Sequence, residues 1–349
     1  MTPSDDRQYL RIATEEAWAP PELIDLYRRH LSDKTIDDIG FNSLMGYFLG
    51  SDHPQPQAVV ARLQGAAEGR LADMDSAGID HQVLAVTSPG TQVLDAQEGA
   101  RIARLANDRL SQIVHAHPTR FSALAAVSFE DVDVAVAELR RAVTELGLKG
   151  LILNDHIRGS YIDDPRFAPL LATLEELDVP LYLHPNTPPN SMIGPYAEAG
   201  LDGAVLGFGA SAGLHLLRIV TAGIFDRHPR LRLVVGHLGE GLPFWLNRID
   251  HMHGKQVLAG RYEQIKPLQK PVSEYFRSHI WLTTSGMPWA PAIMFTREVV
   301  GANRVMYAMD YPYQFDVAEV TAQDALPISD PEKADFFENI ARKVFALDF

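Results

Sequence analysis

The sequence predicts a (β/α)8 barrel, and three observations carry the prediction. Short apolar runs alternate with amphipathic segments along most of the chain, which is the rhythm of an α/β fold. Eight such runs occur, the number that closes a barrel of this type. Most are apolar throughout, as parallel strands covered on both faces are. A doubly wound sheet is the alternative, but it calls for a Gly-rich turn after the first strand, and that turn here reads TEEAW. No linker, low-complexity stretch or repeat beyond the alternation divides the chain. Residues 1–349 are therefore read as one barrel domain, with a loop insertion after the first helix.

The elements follow in order. Leu10–Ala13 is a short apolar strand, and Pro20-Pro21-Glu22 opens a helix over Leu23–Leu31, since proline suits a first helical turn. Residues 32–56 have no clear period and hold Gly40, Gly46, Gly50, Pro54 and Pro56 beside Phe41, Tyr47 and Phe48. They are read as a lid-like loop. Val60, Leu63, Ala67, Leu71 and Met74 recur at helical spacing and predict one helix over Gln57–Ala77. Strands are then expected at His81–Thr87, Phe121–Phe129, Leu148–Asn154, Val179–His184, Leu231–His237, Ile280–Thr284 and Val305–Met309. Helices between them are expected at Gly99–His115, Val132–Leu146, Pro165–Leu177, Gly213–His228, Ser273–Arg277 and Pro291–Val300, with a last one from Pro331 to Phe345.

Composition narrows the function. A net charge of −14 argues against non-specific nucleic-acid or anionic-membrane binding. With no cysteine, a metal must be held by His, Asp and Glu. The polar, acidic start MTPSDDRQYL is unlike a signal peptide, and no apolar run is expected to reach membrane-spanning length. The expected compartment is the cytoplasm.

A barrel gathers the carboxyl ends of its strands on one face, where active sites lie. Those ends carry Glu15 and Glu16, Thr87 and Ser88, Asn154 and His156, His184, His237, Thr284 and Ser285, and Asp310. Singly, each fits a turn, a cap or a core hydrogen bond. Jointly, two histidines, a glutamate and an aspartate at converging ends suit a hard or borderline divalent cation. In VVGHLGEGLPFW, Gly236 and Gly239 leave room beside His237. Glu240, three residues on, is placed to fix the imidazole tautomer, an arrangement suited to acid–base work.

At these residues the chain resembles the amidohydrolase superfamily, in its metal-dependent nonoxidative decarboxylase branch. RIATEEAW, RLADMDSAGID, AVTSPG, LYLHP, GLDGAVLGFG, GIFDRHPRLRLVVGHLGEGLPFW and RVMYAMDYPYQF carry the resemblance over nearly the whole chain. It is similar to γ-resorcylate, 2,3-dihydroxybenzoate and aminocarboxymuconate semialdehyde decarboxylases, and most of all to 5-carboxyvanillate decarboxylases. The resemblance implies Glu15, His184 and Asp310 as ligands of one divalent metal ion, Mn²⁺ or Zn²⁺. Many relatives add a histidine two residues after the glutamate; here Ala17 stands there. A bridging lysine of binuclear relatives has no counterpart at Asn154-Asp155-His156.

The implied reaction is loss of CO₂ from an ortho-hydroxy aromatic carboxylic acid. Asp310 is implied as proton donor to carbon, with His237, polarised by Glu240, binding substrate or relaying the proton. Arg248, Phe208, Tyr313, Phe48 and Thr87 are implied or aligned substrate contacts. Phe48 and Gln55 stand where 5-carboxyvanillate enzymes carry a tyrosine and an arginine, and loss of a bidentate carboxylate partner is not conservative. His53 lies close enough in sequence to substitute. The implied assembly is a homodimer or homotetramer. A hydrolase or hydratase using a metal-activated water is the alternative on the same scaffold, separated from the lyase by release of CO₂ without added water.

Overall fold

The computed structural model describes residues 7–65 and 68–349. Among the described residues eight strands form: β1 (Ile12–Trp18), β2 (His81–Val86), β3 (Phe121–Ala123), β4 (Leu151–Asn154), β5 (Leu181–His184), β6 (Leu233–Val235), β7 (Ile280–Thr283) and β8 (Val305–Met306). All pair in parallel, as β1-β2-β3 and as β4-β5-β6-β7-β8. Ala125 bridges Leu151 in parallel at one seam. At the other, Ala17 N donates to Tyr311 O at 2.7 Å and the Thr14 hydroxyl to Tyr307 O at 2.8 Å. The result is a (β/α)8 barrel, with helices between successive strands.

Several elements start where an aspartate accepts from an otherwise unpaired helical N–H. Asp95, Asp131 and Asp38 cap the helices Ala96–Ala116, Val132–Thr144 and Ile39–Gly50 in this way. The strand residues form the core and are almost all buried, Leu151, Leu153, Leu183, Val234 and Leu282 completely so.

Four expectations are corrected. β1 does not stop at Ala13 but runs through Thr14-Glu15-Glu16-Ala17 to Trp18, with a register irregularity between Ala13 and Glu16. Charged residues conceal a strand when their carboxylates are internally satisfied. Residues 32–56 are largely helical, with a helix at Ile39–Gly50 and another beginning at Pro54. Gly40 is a contact residue here, not a breaker. A Cβ on it would lie 1.9 Å from the Thr187 hydroxyl oxygen. The predicted helix Gln57–Ala77 is replaced by helices Pro54–Gln64 and Glu68–Ala77. Gly65 ends the first, its N–H bonding Ala61 O and Arg62 O; 66–67 lie outside the described residues. Finally, the stretch Gly207–Arg227 has the length and mean hydropathy (1.4) of a membrane span. It packs as barrel helices, Gly207–Thr221 and Ile224–Arg227, separated by Gly223 at φ +69°.

Candidate metal and acid–base site

Glu15 enters the barrel from β1 and is 4% exposed. Its two oxygens have different surroundings. Oε2 accepts from the Tyr182 hydroxyl at 2.5 Å, the Ser285 hydroxyl at 2.5 Å and the Thr283 hydroxyl at 2.9 Å. Oε1 is buried and has no hydrogen-bond partner among the described residues. An unpaired buried carboxylate oxygen is costly unless a cation meets it. Gly236 makes room for this carboxylate, since a Cβ there would lie 2.6 Å from Oε2.

His184 ends β5. Its Nδ1 bonds Pro185 O at 2.8 Å, which assigns the proton to Nδ1 and leaves the Nε2 lone pair free. That nitrogen faces Glu15 Oε1 at 3.5 Å. A donor atom from each of Glu15, His184 and Asp310 lies within 4.8 Å of the others. Two anionic oxygens and an imidazole lone pair repel one another unless a proton or cation sits among them, so the donor set fits a divalent metal of the borderline class.

Asp310 follows β8 at φ +68°. Burial pushes its carboxyl up and Glu15 adds to this, while His237 opposes it. His237 Nε2 lies 3.8 Å from Asp310 Oδ2, and its Nδ1 lies 3.1 Å from Glu240 Oε1. Burial disfavours the imidazolium, but Glu240, Glu15 and Asp310 together hold its pKa well above the ordinary histidine value. The turn that places it is unusual: His237, Leu238, Gly239 and Glu240 all have positive φ, and the His237 N–H donates to the Ser285 hydroxyl at 3.1 Å. Gly286 closes in behind the ring, where a Cβ would be 2.9 Å from His237 Cδ2.

One wall of the mouth is aromatic. The Tyr313 and Thr87 hydroxyls are 2.7 Å apart, and Phe48 meets Tyr313 edge-on at 5.4 Å between centroids. Burial pushes the Tyr313 hydroxyl up to about 12, so it stays protonated. Phe208 lies in the first turn of Gly207–Thr221, half-buried, next to Gly209, whose Cβ would be 3.1 Å from Glu240 Oε2.

The expected contact Arg248 and two further positions weighed in the sequence, Gln55 and His53, are not drawn into the cluster. Arg248 is exposed on the helix Leu242–Ala259 and no ion pair joins it to Glu15, Glu240 or Asp310. Gln55 is exposed at the start of Pro54–Gln64, and the His53 ring is engaged there, accepting from the Gln55 N–H at 3.2 Å. Conversely, the reading of strand ends missed Tyr182 and Thr283. Each sits two residues before a residue flagged at a strand end, His184 and Ser285, and the two-residue period of a strand puts such neighbours on the same face.

The profile of the family described as Amidohydrolase matches residues 25–347. The chain belongs to that family. It is 33% identical to γ-resorcylate decarboxylase of Rhodococcus jostii over 347 residues, 94% of this chain and 98% of that protein. The structure of 5-carboxyvanillate decarboxylase from Novosphingobium aromaticivorans, complexed with manganese and 4-hydroxy-3-methoxy-5-nitrobenzoic acid, superposes with a TM-score of 0.96 at 47% identity, covering 98% of this chain and 97% of that one. The 2,6-dihydroxybenzoate decarboxylase from Rhizobium superposes with a TM-score of 0.84 at 30% identity, covering 98% of this chain and 100% of that one.

Proposed function

We propose that this protein is a Mn²⁺-dependent carboxy-lyase that removes CO₂ from an ortho-hydroxy aromatic carboxylic acid without oxidation. The observation that carries the reading is the unpaired Glu15 Oε1 facing His184 Nε2, with an Asp310 oxygen in the same group of donor atoms. Manganese is favoured over zinc because solved relatives hold manganese. Bound by Glu15, His184 and Asp310, the ion would supply Lewis acidity and a template for adjacent phenolic and carboxylate oxygens.

The chain's own residues account for the proton. Loss of CO₂ from an aryl carboxylate needs one proton delivered to the ring carbon that bears the carboxylate. The Asp310 carboxyl, raised by burial, delivers it in this reading, and the ring loses aromaticity. The carbon–carbon bond then breaks, its electron pair returns to the ring, and CO₂ departs. His237, held by Glu240 at Nδ1, faces Asp310 through Nε2 and returns a proton drawn from solvent. No water is consumed, which separates this reading from a hydrolase or hydratase. Phe48, Thr87, Tyr313 and Phe208 bound the ring in this reading, while Arg248 leaves the set of contacts within one copy.

We also propose a homo-oligomer. Phe244, Trp245, Leu258 and Trp289 are 77%, 57%, 85% and 67% exposed, and Phe244 packs against Phe295, 41% exposed, on the neighbouring helix. Large apolar side chains left exposed along the helix Leu242–Ala259 and on or just before its neighbour Ala290–Val300 mark contact surfaces.

Asp310→Asn tests the mechanism. The variant is expected to keep its far-UV circular dichroism and melting temperature while turnover falls by about 10²–10⁴-fold, the range for loss of a general acid. Turnover within twofold of the parent would remove Asp310 as the proton donor.

A further inference from the structure

Glu16 is the residue beside a metal ligand that the proposed reaction does not use. It is fully buried, and none of its hydrogen-bond partners is shared with Glu15. Its carboxylate is spent on backbone. Oε1 accepts from Met309 N at 3.0 Å and Oε2 from Tyr311 N at 3.2 Å. Those are the two residues flanking Asp310, whose φ of +68° is rare for a residue with a side chain.

The clamp is anchored from outside the barrel. Gln82 on β2 donates to Glu16 Oε2 at 3.3 Å and accepts from Arg70 Nη1 at 3.1 Å. Arg70, 1% exposed, also donates to Ala17 O at 2.7 Å and to Gly65 O at 3.1 Å. Its guanidinium lies over the Tyr311 ring at 4.4 Å. Among the described residues Arg70 has no carboxylate at hydrogen-bond distance; Gln82 is the link through which it meets Glu16. A buried network of this kind is costly when half satisfied and rigid when complete. Here three of the links, the Met309 and Tyr311 N–H groups on Glu16 and the Tyr311 ring under Arg70, fall on the residues flanking Asp310.

We propose that Glu16 is a positioning residue: through the N–H groups of Met309 and Tyr311 it holds Asp310 in the strained conformation that places its carboxylate with Glu15 and His184, and Gln82 and Arg70 hold Glu16. The proposal rests on the metal-site reading above. It explains why two consecutive glutamates occur within β1: the first supplies a ligand and the second sets the position of another ligand that follows β8.

The test is Mn²⁺ affinity, read from the electron paramagnetic resonance of free Mn²⁺, with kcat and KM on a hydroxybenzoate substrate. Glu16→Gln retains the shape but turns an amide NH₂ against one backbone N–H. Gln82→Met leaves Glu16 intact and cuts its link to Arg70. Glu16→Gln is expected to weaken Mn²⁺ binding at least tenfold and to lower kcat more than it raises KM, with folded-state circular dichroism unchanged. Gln82→Met is expected to shift both in the same direction by less. A purely structural role would lower the melting temperature and leave the Mn²⁺ affinity of folded protein unchanged. Affinity and kcat within twofold of the parent in folded Glu16→Gln would overturn the proposal. Should that variant not fold, unchanged values in Gln82→Met would overturn it instead. Parent protein that takes up no Mn²⁺ would remove the metal reading and this proposal together, whereas normal uptake by the parent and by Glu16→Gln would remove this proposal alone.

Discussion

His81 shows how a buried titratable group can be tied to stability and not to catalysis. It begins β2, is 0% exposed, and stacks on the Phe349 ring at 4.0 Å. Its Nδ1 lies 3.0 Å from Thr119 O and its Nε2 3.0 Å from the Ser122 hydroxyl. A neutral ring satisfies both, donating at Nδ1 and accepting at Nε2. A second ring proton would face the Ser122 oxygen only after that hydroxyl turned away, in surroundings that do not solvate charge. Burial accordingly lowers its pKa to about 3, with Arg342 and Arg120 adding to the effect. The unfolded chain takes up the proton near the ordinary value of about 6.5. The folded-state pKa is depressed, so the contribution is fully present above about pH 6.5 and is lost as pH falls toward 3. The slope is up to about 1.4 kcal/mol per pH unit. Urea melts at pH 7 and pH 4.5 check this. His81→Gln should show a smaller drop between the two than the parent, and an equal drop would assign the acid sensitivity to other groups.

Residues also show what a chain read without coordinates reveals. Glu15, His184, His237 and Asp310 stand out because a barrel is known to gather strand ends, so position in the rhythm locates them. The hydroxyls that bind Glu15 Oε2 come from Tyr182, Thr283 and Ser285, and only Ser285 lies at a predicted strand end. Glu16 looked like the twin of Glu15, and nothing in the order of residues says which of two adjacent carboxylates turns inward.

At the scale of elements, the segment after the first helix is the instructive failure. IGFNSLMGYFLG has three glycines and little separation of apolar and polar faces, so no helical period shows. It folds as a helix because Asp38 caps it, accepting from Phe41 N at 2.7 Å, and because Gly40 lets its backbone approach Thr187. Phe41 and Met45 are then buried and Phe48 reaches Tyr313. Gly40→Ala should drive the Ile39–Gly50 helix off the loop that follows β5. Overpacking of this kind costs about 1–3 kcal/mol, and its functional sign should be a raised KM with kcat nearly intact. A KM equal to that of the parent would mean that this helix does not border the substrate. The strands β2, β3, β7 and β8 start at the residue expected from the sequence, and β4 and β5 end there, the remaining boundaries being less legible. β1 was cut short by its charged residues, and β3 and β8 are shorter than their apolar runs.

At the scale of the molecule, the barrel explains how residues 15, 184, 237 and 310, far apart in the chain, share one buried site. Its seam between β8 and β1 is stitched by the residues around the site itself, Glu16 and Ala17 on one side and Met309 and Tyr311 on the other. Its outer surface carries the exposed Phe244, Trp245, Leu258 and Trp289. Light scattering after size exclusion should give at least a dimer for the parent, and Trp245→Asp together with Phe244→Asp should shift it toward the monomer. A monomeric parent would leave those side chains without the proposed partner.

The central claim is tested most directly by CO₂ release. The Mn²⁺-loaded protein would be offered a panel of ortho-hydroxybenzoates, with ring absorbance and released CO₂ followed together, before and after chelation. The account predicts stoichiometric CO₂ and phenol from at least one member, abolished by the chelator and restored by Mn²⁺. Metal-loaded protein that releases no CO₂ from any member, or release that persists without metal, would contradict it.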